Sequence, residues 1–503
     1  MTTSRASVSP ARALAVRAVT AVLSDGGRLS EALAQGSAER AGIDARDAGL
    51  ARELAFGAVR RLGTIEGVLS RFAAYEPRRT PAALRAVLLT AGYQLLYLDR
   101  VPAFAAVHEA VSVARRLRGA PSSRMVNAVL RRVTDAVVQH GAKWDAAHPA
   151  AIRTGWDSAT ILREPLIHGA GREDDQRRRR RLAIQTGESL ARLSLLIQRF
   201  GDERGVAAAW AGQGTPPTVL HRNSLRATRE EFAARAADEH GVGAREAVVW
   251  AADPDGEAVL FVPPGVRVAE SALLREGLAY VQDLTAADAA RLLRAQPGEH
   301  VLDLCAAPGG KSVALALRGA RVLACDASAP RLERLRENAR RLGLDLPVCV
   351  TPAGGESAAI GAAREGGAAI IHAPLDVSVA EQCAGGGEFD AAIVDAPCSN
   401  SGVLARRPEA RLRLCAAALR SLFELQVRLL GVAAACVRGG GRIVYSTCSI
   451  EEEENDRVVE AFVRLDPRWR CAERRLTLPT WGACASDWRD GGFAALLVDG
   501  HSR

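Results

Sequence analysis

The sequence predicts a multidomain chain: an all-α N-terminal domain, a small α/β module, and a doubly wound α/β domain. Three observations predict it. Helical spacing of apolar residues runs through residues 10–140, short apolar runs alternate with helical segments from Gly298 onward, and charge and cysteine are divided sharply between the two halves. With 503 residues, 48% of them hydrophobic and 25% charged, the chain can build two or three cores. That excludes a disordered chain, a coiled coil or a disulfide-stapled peptide.

In residues 1–140, Leu84 to Leu98 form one apolar run. The stretch from Val101 to Gly119 then places Val107, Ala110, Val111, Ala114 and Leu117 on one helical face, with Arg115, Arg116 and Arg118 off it. Pro102 suits a first helical turn and Gly119 a helix stop. This region holds 20 Arg and no Lys against 11 Asp and Glu, a surplus of +9, while the whole chain carries +8. The remaining residues therefore sum to about −1. A basic domain on a near-neutral one suggests an arm that holds a polyanion, nucleic acid first. Only Lys143 and Lys311 among the 66 basic residues are lysines, so a lysine here asks for a reason.

Residues 141–186 break the helical pattern with His148-Pro149, scattered glycines, Arg172-Glu173-Asp174-Asp175 and Arg177 to Arg181. That composition predicts a solvated linker. Residues 187–275 read as a small mixed module and 276–503 as the doubly wound domain. In the latter, Val301–Ala306, Ala320–Cys325, Phe389–Val394 and Arg442–Ser446 are strand-like, and Leu332–Leu342 and Arg420–Val437 are helix-like. Residues 353–388, rich in Ala and Gly, read as a loop insertion. Ligands of such a sheet are expected beyond the carboxyl ends of its strands.

All ten cysteines lie in the last 200 residues, and the closest two are 12 apart. The spacing excludes a zinc ribbon or an iron–sulfur cluster. Met1–Ala11 has no apolar core and no 18-residue apolar run follows, so a cytoplasmic protein with reduced thiols is expected.

Each strand ends in polar or reactive residues. The first runs into Cys305-Ala306-Ala307-Pro308-Gly309-Gly310-Lys311, a glycine turn entering a helix, where backbone can approach a ligand closely. It matches neither dinucleotide nor Walker fingerprint, which argues against phosphate binding. The second strand ends at Asp326, an acid suited to ribose hydroxyls. Together these point to a nucleoside cofactor without a pyrophosphate, S-adenosylmethionine. The competing reading is a tight turn and a helix-capping Asp. The third strand ends Asp395-Ala396-Pro397-Cys398 and the fourth Thr447-Cys448-Ser449, which brings two thiols to one crevice. A thiolate can add to an electron-poor ring, and a nearby carboxyl can hold its polar edge.

The segments LCAAPGGKS, DAPCSNSG and YSTCSIEEEEN resemble the NOL1/NOP2/Sun family of RNA cytosine-C5 methyltransferases over roughly residues 187–500. Glu276-Gly277, Val281-Gln282-Asp283 and Arg222-Asn223 match further markers of that family. Val101-Pro102, His108-Glu109-Ala110-Val111 and Val126 to Leu130 resemble a NusB RNA-binding domain. The combination is similar to bacterial methyltransferases of 16S ribosomal RNA. The resemblance implies a Rossmann-like domain using S-adenosylmethionine, without metal, membrane or obligate protein partner. It implies Cys448 as the nucleophile at C6 of the cytosine, Cys398 as the group that assists loss of the C5 proton, and Asp395 as the contact to the base edge and the cofactor. Cys305, Ala306, Ala307, Pro308, Gly309, Gly310 and Lys311 would wrap the cofactor, Asp326 would bind its ribose, and Asp376 would contact the adenine side. Two positions depart from the family: Arg411-Leu412-Arg413 stands where a tryptophan is usual, and Asp490-Gly491-Gly492-Phe493 where Asp-Gly-Phe-Phe is. The alternatives are a different RNA substrate (tRNA or 23S rRNA), or a non-catalytic RNA-binding assembly factor that retained the fold.

Overall fold

The computed structural model describes residues 8–38, 43–73, 75–168, 173–240, 249–252, 258–266, 268–344, 348–349, 369–372 and 389–500. They fall into two compact units, Met1–Thr215 with Leu404–Arg413, and Pro216–Val403 with Leu414–Arg503.

The first unit opens with helices Pro10–Asp25, Leu29–Ala38, Ala45–Arg60, Leu62–Ala73 and Ala82–Tyr97. Asp44 starts the third by accepting a hydrogen bond from the Asp47 amide at 2.7 Å. A long helical segment, Ala103–Ala136, is two helices joined at Gly119 (φ 78°, ψ −171°), the expected stop. Leu54, Ile65, Leu69, Leu88, Leu89 and Leu96 are fully buried where these helices meet. Not all of the basic surplus is on the surface. Arg60 and Arg61 are buried: Arg60 donates to the Ala405 carbonyl at 2.9 Å, and Arg61 donates to Gln213 Oε1 at 2.9 Å over the Tyr97 ring. Burial, with Arg61 alongside, pushes the Arg60 guanidinium down to about 10.

Residues 141–186 are not the linker the composition suggests. Val137–Lys143, Ala151–Arg153 and Ser158–Leu162 form a three-stranded antiparallel sheet, and Asp175–Thr186 is a helix capped by Asp174. The arginine run supplies one interior residue. Arg181 is 4% exposed and donates from two nitrogens to the two Glu173 carboxylate oxygens, each at 2.7 Å, and to the Ala146 carbonyl at 2.8 Å. Those hydrogen bonds from Arg181 hold the Glu173 carboxyl below its ordinary range. A charge that finds such a fork can be buried, and composition alone does not reveal its partner. The division between units falls after Thr215, so residues 187–215 join the first unit.

The second unit begins with a four-stranded antiparallel sheet, ordered Val249–Ala252, Ala258–Val262, Thr218–Arg222, Ala279–Val281. Leu220, Phe232, Leu260 and Leu273 bury its inner face. The large sheet contains β1 (His300–Asp303), β2 (Arg321–Asp326), β3 (Val348–Cys349), β4 (Ala369–His372), β5 (Phe389–Asp395), β6 (Val437–Thr447), β7 (Trp469–Thr477) and β8 (Gly492–Asp499). Their spatial order is β3-β4-β2-β1-β5-β6-β8-β7. Six strands run parallel, and β8 pairs antiparallel with β6 and β7. Val301, Leu302 and Ala391–Val394 are fully buried, as expected of central parallel strands covered on both faces. Strand order reverses between β1 and β5, which makes their carboxyl ends the switch point. The expected loop insertion 353–388 contains β4, a four-residue run too short to stand out among alanines and glycines. Asp376 lies outside the described residues. Among the described residues no helix is long and apolar enough to cross a membrane.

Candidate active site

The turn after β1 is built for close approach. Gly309 has φ 109°, a backbone conformation L side chains rarely adopt, and a Cβ there would stand 2.6 Å from Leu335 Cγ. The helix Gly310–Ala316 begins at once, so its first amides face the turn. The Ala306 amide donates to the Cys325 carbonyl at 2.9 Å. The Ala307 amide donates to Asp326 Oδ2 at 3.1 Å, while Oδ1 accepts from the Ser328 amide at 2.9 Å. Asp326 is 3% exposed and faces the Arg331 guanidinium at 3.5 Å. Arg331 also donates to the Ala307 carbonyl. The end of β2 is thereby locked to the turn after β1. Cys305 is buried in this turn, and burial with Asp303, Asp395 and Asp326 nearby pushes its thiol well above the usual range. It is a wall, not a nucleophile.

Lys311 explains its departure from the arginine bias. Its Nζ stands 2.7 Å from Asp395 Oδ2, and Asp395 Oδ1 accepts from Ser446 Oγ at 2.9 Å. Burial alone would lower the ammonium; Asp395, with Asp303 and Cys448 nearby, holds it above its ordinary value. The pair joins the helix after β1 to the end of β5. Behind it lies Asp303, wholly buried. Its Oδ2 accepts from Ser312 Oγ at 2.7 Å, and its Oδ1 has no partner among the described residues. Burial, with Asp395 adding to it, raises this carboxyl to about 7.

Three carboxyls thus surround one turn with Lys311 and Arg331 as counter-charges, and one buried oxygen is unsatisfied. This set fits a ligand with cationic groups, and the sulfonium and ammonium of S-adenosylmethionine meet that description.

The two thiols come together as the strand ends suggested. β5 and β6 are parallel neighbours with Asp395 opposite Ser446, and Cys398 and Cys448 follow three and two residues later. Their sulfurs are 3.1 Å apart. Cys448 also contacts Asn400 Oδ1 at 3.3 Å, and its carbonyl accepts from the Gly402 amide at 3.0 Å. That last contact needs glycine: a Cβ on Gly402 would lie 2.5 Å from the Gly491 carbonyl oxygen. The hydrogen bond with Cys448, then burial, pushes the Cys398 thiol well above the usual range. Cys398 keeps its proton, a poor nucleophile and a strong base once deprotonated.

The structure also supplies residues that the sequence reading did not single out. Glu454, inside the Glu451–Glu454 run, is fully buried and accepts from groups in both thiol loops. Gln426 donates to the Pro397 carbonyl at 2.9 Å. For Asp303 a signal existed, an acid within an apolar strand; for Glu454 the flanking acids hid it. The side chain of Arg411, at one of the departing positions, is 8% exposed in the first unit and stands 3.7 Å from Glu188.

Residues 9–135 match the model of the NusB family, and residues 290–359 and 362–484 that of the 16S rRNA methyltransferase RsmB/F family. A protein of Pseudomonas putida named ribosomal RNA small subunit methyltransferase B is 30% identical over 465 residues, covering 91% of this chain and 89% of that one. Its namesake in Proteus mirabilis is 28% identical over 495 residues, covering 97% and 98%. The crystal structure of PH0851 superposes with a TM-score of 0.69 at 20% identity, over 98% of this chain and 99% of that one, which shows a shared fold. A helical NusB domain in front of a switch-point site of this make-up, with relatives matched nearly end to end, places the chain in the 16S rRNA methyltransferase RsmB/F family.

Proposed function

We propose that this chain transfers a methyl group from S-adenosylmethionine to C5 of a cytosine in 16S ribosomal RNA, through a covalent adduct between Cys448 and C6 of the base. The observation that carries this reading is the meeting of Cys398 and Cys448 at 3.1 Å beside the acidic turn. Cytosine C5 is a weak nucleophile, and reversible thiolate addition is the means a protein has to activate it.

When bound, S-adenosylmethionine supplies an electrophilic methyl group. The turn Cys305–Lys311 would wrap it, Asp326 would take its ribose and Asp376 its adenine side, and Asp395 would contact both cofactor and base. With Oδ2 held by Lys311, Asp395 accepts from the cytosine N4 amino group. The Cys448 thiolate forms a bond to C6, and the C5=C6 electron pair becomes available at C5, which takes the methyl group. Cys398 then assists loss of the C5 proton, which passes to water. The electron pair left behind restores C5=C6 and expels the Cys448 thiolate. The target base must leave its stack to meet both thiol and cofactor, which favours an unpaired nucleotide. The basic NusB domain would supply RNA affinity in the cytoplasm. The names of the relatives support 16S rRNA as substrate.

The test is incubation with methyl-labelled cofactor and undermodified 16S rRNA, tRNA or 23S rRNA, followed by mapping of 5-methylcytosine. Label confined to 16S rRNA is expected. Label in tRNA or 23S rRNA overturns the substrate and keeps the chemistry; absence of 5-methylcytosine under conditions where cofactor binds overturns the chemistry.

A further inference from the structure

Glu454 is wholly buried, yet it has no ion pair among the described residues. Its carboxyl group accepts four hydrogen bonds instead. Oε1 accepts from the Ser399 amide at 2.8 Å and from Gln426 Nε2 at 3.2 Å. Oε2 accepts from Ser399 Oγ at 2.5 Å and from Ser449 Oγ at 2.6 Å. Ser399 follows Cys398, and Ser449 follows Cys448. One carboxyl group therefore grips the residue after each thiol, and Gln426, on the helix Ala416–Cys436, spans back to the Pro397 carbonyl before Cys398 at 2.9 Å.

The segment that carries Glu454 is itself held to the same loops. Tyr445 Oη donates to the Glu454 carbonyl at 2.6 Å, and Asn455 Nδ2 donates to the Ser449 carbonyl at 3.0 Å. Asn455 Oδ1 accepts from Thr447 Oγ1 at 2.7 Å. Ser401 and Ser449 hydroxyls, 3.1 Å apart, complete the closure. Folding a carboxyl group into a dry interior is costly unless every lone pair finds a donor, and here neutral donors from the two loops and from Gln426 do so. An apolar residue would fill the same space without that cost but could not fix the register of two loops.

We propose that Glu454 is a positioning residue of the two-thiol centre: its buried carboxyl group, bonded to Ser399 and Ser449, sets the separation and facing of Cys398 and Cys448. The inference rests on the proposed methyl transfer for its catalytic consequence, though the geometry of the thiols can be read without it. Glu454 touches neither substrate nor cofactor. It acts through the loops, so its loss alters the step that needs both thiols together and leaves ligand binding in place. Raising of the Cys398 thiol by Glu454 among other causes agrees with this arrangement.

The test compares wild type with Glu454→Gln, an isosteric change that presents an amide donor where every neighbour is a donor. Two readouts are taken on the full chain. The first is the rate at which diamide joins Cys398 to Cys448, followed by mass spectrometry, which reports thiol geometry whether or not the protein methylates RNA. The second is kcat and KM for labelled methyl transfer, with the dissociation constant of S-adenosylmethionine measured separately. Expected are a disulfide rate at least 10-fold lower and a kcat lower by about 100-fold, with cofactor affinity and KM for RNA within 3-fold of wild type. If Glu454→Gln fails to fold, the double variant Ser399→Ala/Ser449→Ala removes both Oε2 contacts and is expected to lower the disulfide rate and kcat by 10-fold or more. An unchanged disulfide rate in the folded variant overturns the inference, as does a loss in which kcat falls while cofactor affinity weakens and KM for RNA rises with it. A wild type that forms the disulfide quickly but never methylates cytosine refutes the proposed function and leaves the positioning of the thiols standing on the first readout.

Discussion

Asp303 offers a measurement whose sign is set by burial. Its carboxyl is raised from 3.8 to about 7, first by burial and then by Asp395 and Asp326, against the lowering effects of Ser312 and Lys311. A carboxyl whose folded pKa exceeds its unfolded value takes up a proton on folding, so its contribution to stability is complete below pH 4 and is lost as pH rises through 7. About three pH units at 1.36 kcal/mol each amount to about 4 kcal/mol lost by pH 8. Asp303→Asn removes that dependence. The asparagine carbonyl can still accept from Ser312 Oγ, but its amide falls where Oδ1 has no partner, an unsatisfied donor costing about 1–3 kcal/mol. In ligand-free protein the variant is therefore expected to be less stable than wild type near pH 4 and more stable at pH 8. The swing between the two pH values, not the offset at either, carries the argument. Amide hydrogen exchange of β1 and β5, followed by mass spectrometry at matched pH values in both proteins, reads the opening of this sheet without requiring the two units to unfold together. A swing of about 4 kcal/mol is about 10³-fold in relative protection. A wild-type-to-variant ratio that does not move between pH 4 and 8 would mean that Asp303 is ionised throughout, and the account of its burial would fail.

Other outcomes follow from the same geometry. Cys448→Ala should abolish methyl transfer, while Cys398→Ala should accumulate a covalent RNA adduct visible on a denaturing gel; normal methylation by Cys448→Ala would reverse the assignment of the thiols. Lys311→Met leaves Asp395, whose side chain is 38% exposed, without the ammonium now 2.7 Å away, and should lower stability by only about 1 kcal/mol in denaturant melts and weaken cofactor binding at least 10-fold by calorimetry. Gly402→Ala drives a Cβ into the Gly491 carbonyl; a kcat at least 10-fold lower is expected from displacement of the Cys448 loop, and a fully active variant would show that the contact is slack.

The parts legible in the sequence share a property: their signal is local. Strand ends β1, β2, β5 and β6 lie where apolar runs stop, the helix break at Gly119 follows from one residue, and Lys311 stood out as one of two lysines before its partner Asp395 was known. What stayed hidden depends on partners far along the chain. Arg181 sits in a run that reads as solvated, and only the Glu173 fork beneath it makes it an interior residue. β4 is four residues inside an Ala/Gly-rich stretch and becomes a strand because β2 and β3 flank it in register. Glu454 is the sharpest case. Four consecutive glutamates describe a solvated surface by composition, but a 3₁₀ turn at Glu452–Glu454 directs the last of them inward, and three of the four donors that receive it come from residues 28 and 55 positions away. Charge patterning therefore misleads where two loops share a polar fastening inside the protein. The residues proposed for the chemistry sit on motifs and announce themselves, whereas the residues that hold those motifs together resemble ordinary surface. In this family of sites an acid in a charge run a few residues after a proposed catalytic thiol calls for a structural test before it is assigned to solvent.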